Sequence, residues 1–217
     1  MYEILFYKEL YTPLQNRFKG LSELLRSTFQ YKSSNPFSLT IPRPSIGEKE
    51  FIFNGCHLSN LTLIGYQPQK IVCGQLNSTS HYGVSFEFTG CAMARFLDYS
   101  NNPYICHIYL SGDSADCKIL WKEFIDKCGY DLIYMTIFKP YTPTIKKLYE
   151  YICKSEIFRT TVCGVICPNG DCYSLLMRSD DFWIIYCEKV TPLYKSQFVA
   201  SYIDKEAVKN AVDRRLV

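Results

Sequence analysis

The rhythm of apolar and polar positions along this chain changes near residue 46. Before it, Phe18, Leu21, Leu24, Leu25 and Phe29 recur at the three- and four-residue spacing of an amphipathic helix over residues 14–30. Residues 31–50, YKSSNPFSLTIPRPSIGEKE, are rich in Ser, Pro and Gly and read as a long connection. After it, short β-like runs dominate: EFIFNG, LTLIGY and KIVCGQL, separated by Asn, Gly or Pro. In GVSFEFTG, Val84, Phe86 and Phe88 alternate with Ser85, Glu87 and Thr89, which predicts a strand with one apolar and one polar face.

AMARFLDY and YICHIYL flank the turn-forming SNNP and predict a hairpin. SADCKILWKEFIDKCG predicts a helix capped by Ser114, with Ile119, Leu120, Phe124 and Ile125 as its apolar stripe and Gly129 as its stop. YDLIYMTIFKP reads as a strand, and TPTIKKLYEYICKS as a helix with Pro143 near its start. Asn169-Gly170 sits between two β-like runs as a hairpin signal, FWIIYCEKVTP ends the sheet, and DKEAVKNAVDRRL is a capped helix. The sum is an α+β layered sandwich, a mixed or antiparallel sheet core flanked by helices. It forms a single domain over 1–217, with a helical segment and connection at 1–45 and a β-sandwich core at 46–217.

Composition narrows the picture. At 217 residues, with a hydrophobic fraction of 47%, the chain can bury a sizeable core. Eighteen Tyr and fourteen Phe against four Met fit a β-rich interior. The net charge of +3 is scattered along the chain, which argues against nucleic acid as a partner. No run is long and apolar enough to span a bilayer, and no secretory signal opens the sequence. Most of the eleven cysteines sit in apolar runs such as KIVCG and WIIYCEK, as small hydrophobes do. A monomer with mostly free thiols in a reducing compartment follows, cytoplasmic in the producing cell or delivered into another cell's cytosol.

Cys91 stands apart from the other thiols. Gly90 before it allows a sharp corner and clears the approach to the sulfur, beside main-chain N–H groups that could hold an oxyanion. His107 lies sixteen residues on (91 to 107), in the second run of the predicted hairpin, which would bring it back beside Cys91. Such a pair makes a thiolate–imidazolium nucleophile. The bland reading is that Cys91 packs, as Cys106 next to His107 does.

FTGC followed by a histidine in the next hairpin resembles the LSGC…His signature of the cytotoxic-necrotizing-factor-like glutamine deamidases, a family that includes the Burkholderia lethal factor and the chemoreceptor glutamine deamidase. The resemblance covers Ser85 to His107, and Phe88 and Thr89 stand where the signature has Leu-Ser. It implies a β-sandwich flanked by helices, with Cys91 as nucleophile and His107 as base. Some members carry a threonine hydroxyl, six positions before the cysteine, that orients the histidine; here that position is Ser85. The implied reaction converts a glutamine on a protein substrate to glutamate without a cofactor, with the oxyanion held around Thr89, Gly90 and Cys91. The implied biology is that of a toxin or effector acting on a host protein.

Two other function classes remain open on these residues: another Cys–His enzyme such as a papain-like protease or transglutaminase, and a non-catalytic binding or immunity module. Cys163, Cys167 and Cys172 follow C-x3-C-x4-C, which is not a zinc pattern, so no metal is expected. Cys56 and His57 are strand neighbours and point to opposite faces. His81 reads as a loop residue, Asp113 and Asp116 as a helix N-terminus with Asp113 a candidate orienter of His107, and Trp121 and Trp183 as core.

Overall fold

The computed structural model describes residues 51–53, 56–58, 61–110, 115–155, 159–179, 183–197 and 202–214. The helix predicted over 14–30, the connection over 31–50, Asp113 and the cap Ser114 lie outside these residues. Strands β1 (Phe51–Phe53), β2 (Cys56–Leu58), β3 (Leu61–Ile64), β4 (Ile71–Gln75), β5 (Tyr82–Ser85), β6 (Ala92–Asp98) and β7 (Pro103–Ile108) precede helix α1 (Ala115–Cys128). Strand β8 (Leu132–Phe138) leads into α2 (Pro143–Lys154). Strands β9 (Thr160–Ile166), β10 (Cys172–Arg178), β11 (Ile184–Val190) and β12 (Tyr194–Lys195) then lead to α3 (Lys205–Ala211).

The strands form two six-stranded sheets. The first has the order β1-β4-β7-β6-β8-β12 and the second β11-β10-β9-β5-β3-β2. Pairing is antiparallel except for β1 with β4 and β3 with β5. The α+β layered sandwich read from the sequence is the observed architecture.

Strand alternation sorts the core into layers. From β6 and β7, Ala92, Ala94, Phe96, Cys106 and Ile108 face outward from the first sheet, where they pack with Trp121, Phe124 and Ile125 of α1 and Val208 and Ala211 of α3. Met93 and Ile105 face the other way and join Ile64, Ile166 and Leu176 of the second sheet, together with Ile145 and Ile152 of α2. A third cluster, with Val84, Val165, Leu175 and Met177, lines the opposite face of the second sheet.

Several local expectations hold and several shift. The hairpin of β6 and β7 pairs Ala92 with Ile108 and Leu97 with Pro103. Asp98 Oδ1 accepts from the Ser100 and Asn102 amides, which shapes the turn. Helix α2 begins at Pro143, capped by Thr142 Oγ1, which accepts from Ile145 N at 3.1 Å. Asp204 caps α3 in the same way at Ala207 N. The α1 stripe is rotated from the expected one: Trp121 is fully buried, whereas Ile119 is 53% exposed. That helix ends at Cys128, at the Gly129 stop read from the sequence, and Gly129 then opens a short 3-10 turn. Trp183, expected in the core, is 52% exposed at the approach to β11.

The Asn169-Gly170 signal does join β9 to β10. Gly170 N donates to Cys167 O at 2.9 Å, and Cys167 N to Asp171 O at 2.8 Å. This is a three-residue loop whose last position must be left-handed, and Gly170 has φ 76°. A Cβ there would lie 1.9 Å from Tyr134 Oη. Gly170→Ala should therefore cost about 2 kcal/mol or more, since strain and a clash add. Chemical denaturation measures this, and an unchanged midpoint would contradict the loop geometry.

Candidate active site

Ser85 and His107 come from different sheets. Ser85 is the last residue of β5, held between Ile64 of β3 and Gly164 of β9. His107 lies in β7, opposite Met93 of β6. Both side chains turn into the space between the sheets, where Ser85 is 0% and His107 1% exposed. Ser85 Oγ lies 3.1 Å from Ile64 O and 2.9 Å from His107 Nδ1. A hydroxyl has one hydrogen, and a carbonyl can only accept it. Ser85 therefore donates to Ile64 and accepts from His107 Nδ1–H. The imidazole tautomer is fixed, and Nε2 carries the lone pair. That atom is buried without a hydrogen-bond partner.

Cys91 sits on the same side of the first sheet as His107. Met93 is directly opposite His107, and Cys91 is two residues back along the same face. It packs in the inter-sheet cluster with Met93 and Phe88. The two are diagonal cross-strand neighbours, a relation that sets Cα atoms about 7–8 Å apart. Because Nε2 is unpartnered, thiol and imidazole are not hydrogen-bonded to each other. Burial raises the Cys91 thiol above its ordinary value, while the main-chain N–H groups of Leu110 and of Cys91 itself favour the thiolate. Burial holds His107 down to about 3. The thiolate–imidazolium pair expected from sequence is therefore replaced, in this closed arrangement, by a neutral thiol and a neutral imidazole.

The turn carrying the thiol is also built differently from the expected strand. Strand β5 ends at Ser85, and Glu87 adopts φ 64°. This left-handed residue breaks the predicted alternation. Phe86 stays with Val84 on one face of the second sheet, while Phe88 enters the inter-sheet cluster. There Phe88 stacks on His107 with ring centroids 4.1 Å apart and planes 3° apart. Gly164 makes room for it: a Cβ on Gly164 would lie 2.9 Å from Met93 Sδ and 3.1 Å from Phe88 Cε2. Gly90 has φ 155°, and Thr89 is exposed at the corner. The donors facing the sulfur are thus the Cys91 and Leu110 amides, with Thr89 outside that set.

Two side chains and one disulfide were not among the sequence candidates. Tyr66, just past β3, places its ring 5.2 Å from His107. Arg95 is 1% exposed and donates from Nη1 to His81 O at 2.6 Å and from Nη2 to Thr79 O at 2.5 Å, pinning the loop that feeds β5. A charged residue inside the apolar run AMARFL was the available signal. Cys73 and Cys106, directly paired across β4 and β7, form a disulfide, an exception to the mostly free thiols expected; Cys91, Cys128, Cys153, Cys163 and Cys172 are free.

Cys163 and Cys167 belong to the cluster on the far face of the second sheet and Cys172 to the inter-sheet cluster, so the three thiols do not converge. Among the described residues no group of three His, Cys, Asp or Glu is placed to hold a metal, and no helix is long and apolar enough to cross a membrane. His81 is a loop residue as read, though buried. Cys56 and His57 lie in the edge strand β2.

No protein-family model matches the chain, and no curated protein sequence matches it.

Protonation provides a test of that geometry. Folded His107 stays neutral down to about 3, whereas its ordinary value is 6.5. Between those values the unfolded chain binds the extra proton, so stability falls as pH drops from about 6.5, by at most about 1.4 kcal/mol per pH unit from this group. Denaturation of wild type and His107→Gln at neutral and mildly acid pH should show a shallower loss in the variant. Equal losses would mean that the imidazole is not sealed.

Proposed function

We propose that this chain is a cysteine-dependent glutamine deamidase that converts Gln to Glu on a protein substrate, with Cys91 as nucleophile, His107 as base and Ser85 as the group that orients His107. The observation that carries the reading is the Ser85–His107 hydrogen bond at 2.9 Å, which leaves a buried Nε2 lone pair on the face that holds the thiol. The resemblance of the FTGC…His stretch to the necrotizing-factor-like deamidases supports the same three roles.

The chemistry follows from a neutral pair. As Cys91 Sγ bonds to the carboxamide carbon, its proton moves to His107 Nε2, and the carbonyl oxygen becomes an oxyanion facing the Cys91 and Leu110 amides. The imidazolium returns that proton to the departing nitrogen, which leaves as ammonia, and a thioester remains. Water, deprotonated by Nε2, then attacks the thioester and restores the thiol, leaving glutamate. Ser85 accepts from Nδ1–H throughout, the orienting part that a third group plays in other triads. The product carries a new negative charge, enough to disable an interface or shift a switch on the partner protein. Action on a host protein in the cytosol, by a monomer with no cofactor, fits this chemistry.

The burial of Cys91 and His107 favours a second reading, a binding or immunity module in which both are core residues. A protease or transglutaminase would use the same pair on a different bond or acceptor. Incubating candidate proteins with wild type, Cys91→Ser and His107→Gln, then mapping products by mass spectrometry, separates these readings. Wild type should produce Gln-to-Glu conversion that Cys91→Ser abolishes and His107→Gln slows about 100-fold or more. Peptide cleavage or amine incorporation would redirect the assignment, and equal conversion by all three proteins would remove Cys91 from the reaction.

A further inference from the structure

We infer that Tyr66 is the gate of the Cys91–His107 site, an aromatic ring that must swing aside before a substrate carboxamide reaches the thiol. The inference rests on the catalytic reading of that pair, and on three observations about how the pair is enclosed.

First, Cys91 and His107 are each 1% exposed, so no reagent the size of a carboxamide reaches them in the closed arrangement. Second, among the described residues two aromatic rings lie against the imidazole, and they differ. Phe88 is 0% exposed and stacked flat, locked among Met93, Gly164 and the inter-sheet core. Tyr66 is partly exposed and tilted by 53° at 5.2 Å, and its ring also neighbours the partly exposed Tyr109 at 6.1 Å. Its phenol lies within electrostatic range of Cys91 and of exposed Glu87. Of the two covers, Tyr66 is the one with a free side.

Third, the segment carrying Tyr66 is built to move. Residues 65–70, GYQPQK, cross from β3 of the second sheet to β4 of the first. A Cβ at Gly65 would meet nothing within 4 Å, so the residue before Tyr66 is uncrowded. Gln69 adopts φ 58°, and Lys70 O accepts a long hydrogen bond of 3.4 Å from Tyr109 N. A loop that crosses between sheets opens at lower free energy than the sheets it joins. Opening also admits water beside Nε2, which relieves the desolvation that makes the sealed imidazole a weak base.

The test reads thiol access and needs no substrate. Full-length wild type, Tyr66→Phe and Tyr66→Ala are exposed to iodoacetamide, and alkylation of Cys91 is followed by peptide mapping, with buried Cys163 and exposed Cys153 as internal references. Tyr66→Ala should alkylate Cys91 about tenfold faster, the change produced when opening becomes easier by one decade. Tyr66→Phe should stay near wild type, because the ring and not the hydroxyl closes the path. No acceleration at Cys91, or an equal acceleration at Cys163, would overturn the gate, the latter by showing general loosening. A selective rise at Cys91 in a protein that deamidates nothing would keep the gate and discard the deamidase; deamidation without that rise would do the reverse.

Discussion

The hydrogen bond from His107 Nδ1 to Ser85 Oγ is the constraint around which the site is arranged. It joins the two sheets through polar atoms in the layer that holds Met93, Ile105, Ile166 and Leu176. With Ser85's single hydrogen committed to Ile64 O, the link has a direction, and that direction fixes the tautomer, the ring orientation and the free nitrogen. In a low-dielectric interior such a bond is stronger than at a surface, and an unpaired partner there is costly. The geometry of β5, a short strand held on both edges, is what delivers the serine hydroxyl to that point.

His107 and Arg95 are both basic and both buried here, and the fold treats them by different physics. An imidazole can shed its proton, so His107 enters neutral and needs one hydrogen-bond acceptor. A guanidinium cannot, so Arg95 enters charged and is met by the carbonyls of Thr79 and His81. The outcome is mechanical: the loop before β5 is tied to β6 by the arginine, and the end of β5 is tied to β7 by the serine. The strand that bears Ser85 is thus located from both of its ends.

Much of the architecture was legible because it rests on local periodicity and turn chemistry. The β6–β7 hairpin, Pro143 at the start of α2, the Asp204 cap and the Asn169-Gly170 loop are each dictated by a few adjacent residues. Ser85, Cys91 and His107 were named from sequence, and they do lie in the same layer, on the same side of the first sheet in the case of the last two. What failed depends on distant neighbours. The alternation through 84–89 predicted one strand, but nothing local announced that Glu87 would turn left-handed to send Phe88 inward. Ile119 and Trp183 looked like core residues until the sheets chose which faces to cover. Tyr66 carries no signal at all, because its meaning arises only where a loop between sheets passes over a histidine forty-one positions later (66 to 107).

The covalent bond between Cys73 and Cys106 closes a ring of chain around most of this machinery. Ser85, Phe88, Cys91, Met93 and Arg95 all fall inside that ring, and His107 is the first residue beyond it. A single backbone cut anywhere between the two cysteines would therefore leave both halves tethered at the strand that bears the imidazole. Cys91 and His107 would remain one molecule after an injury that separates the pieces of an unbridged chain.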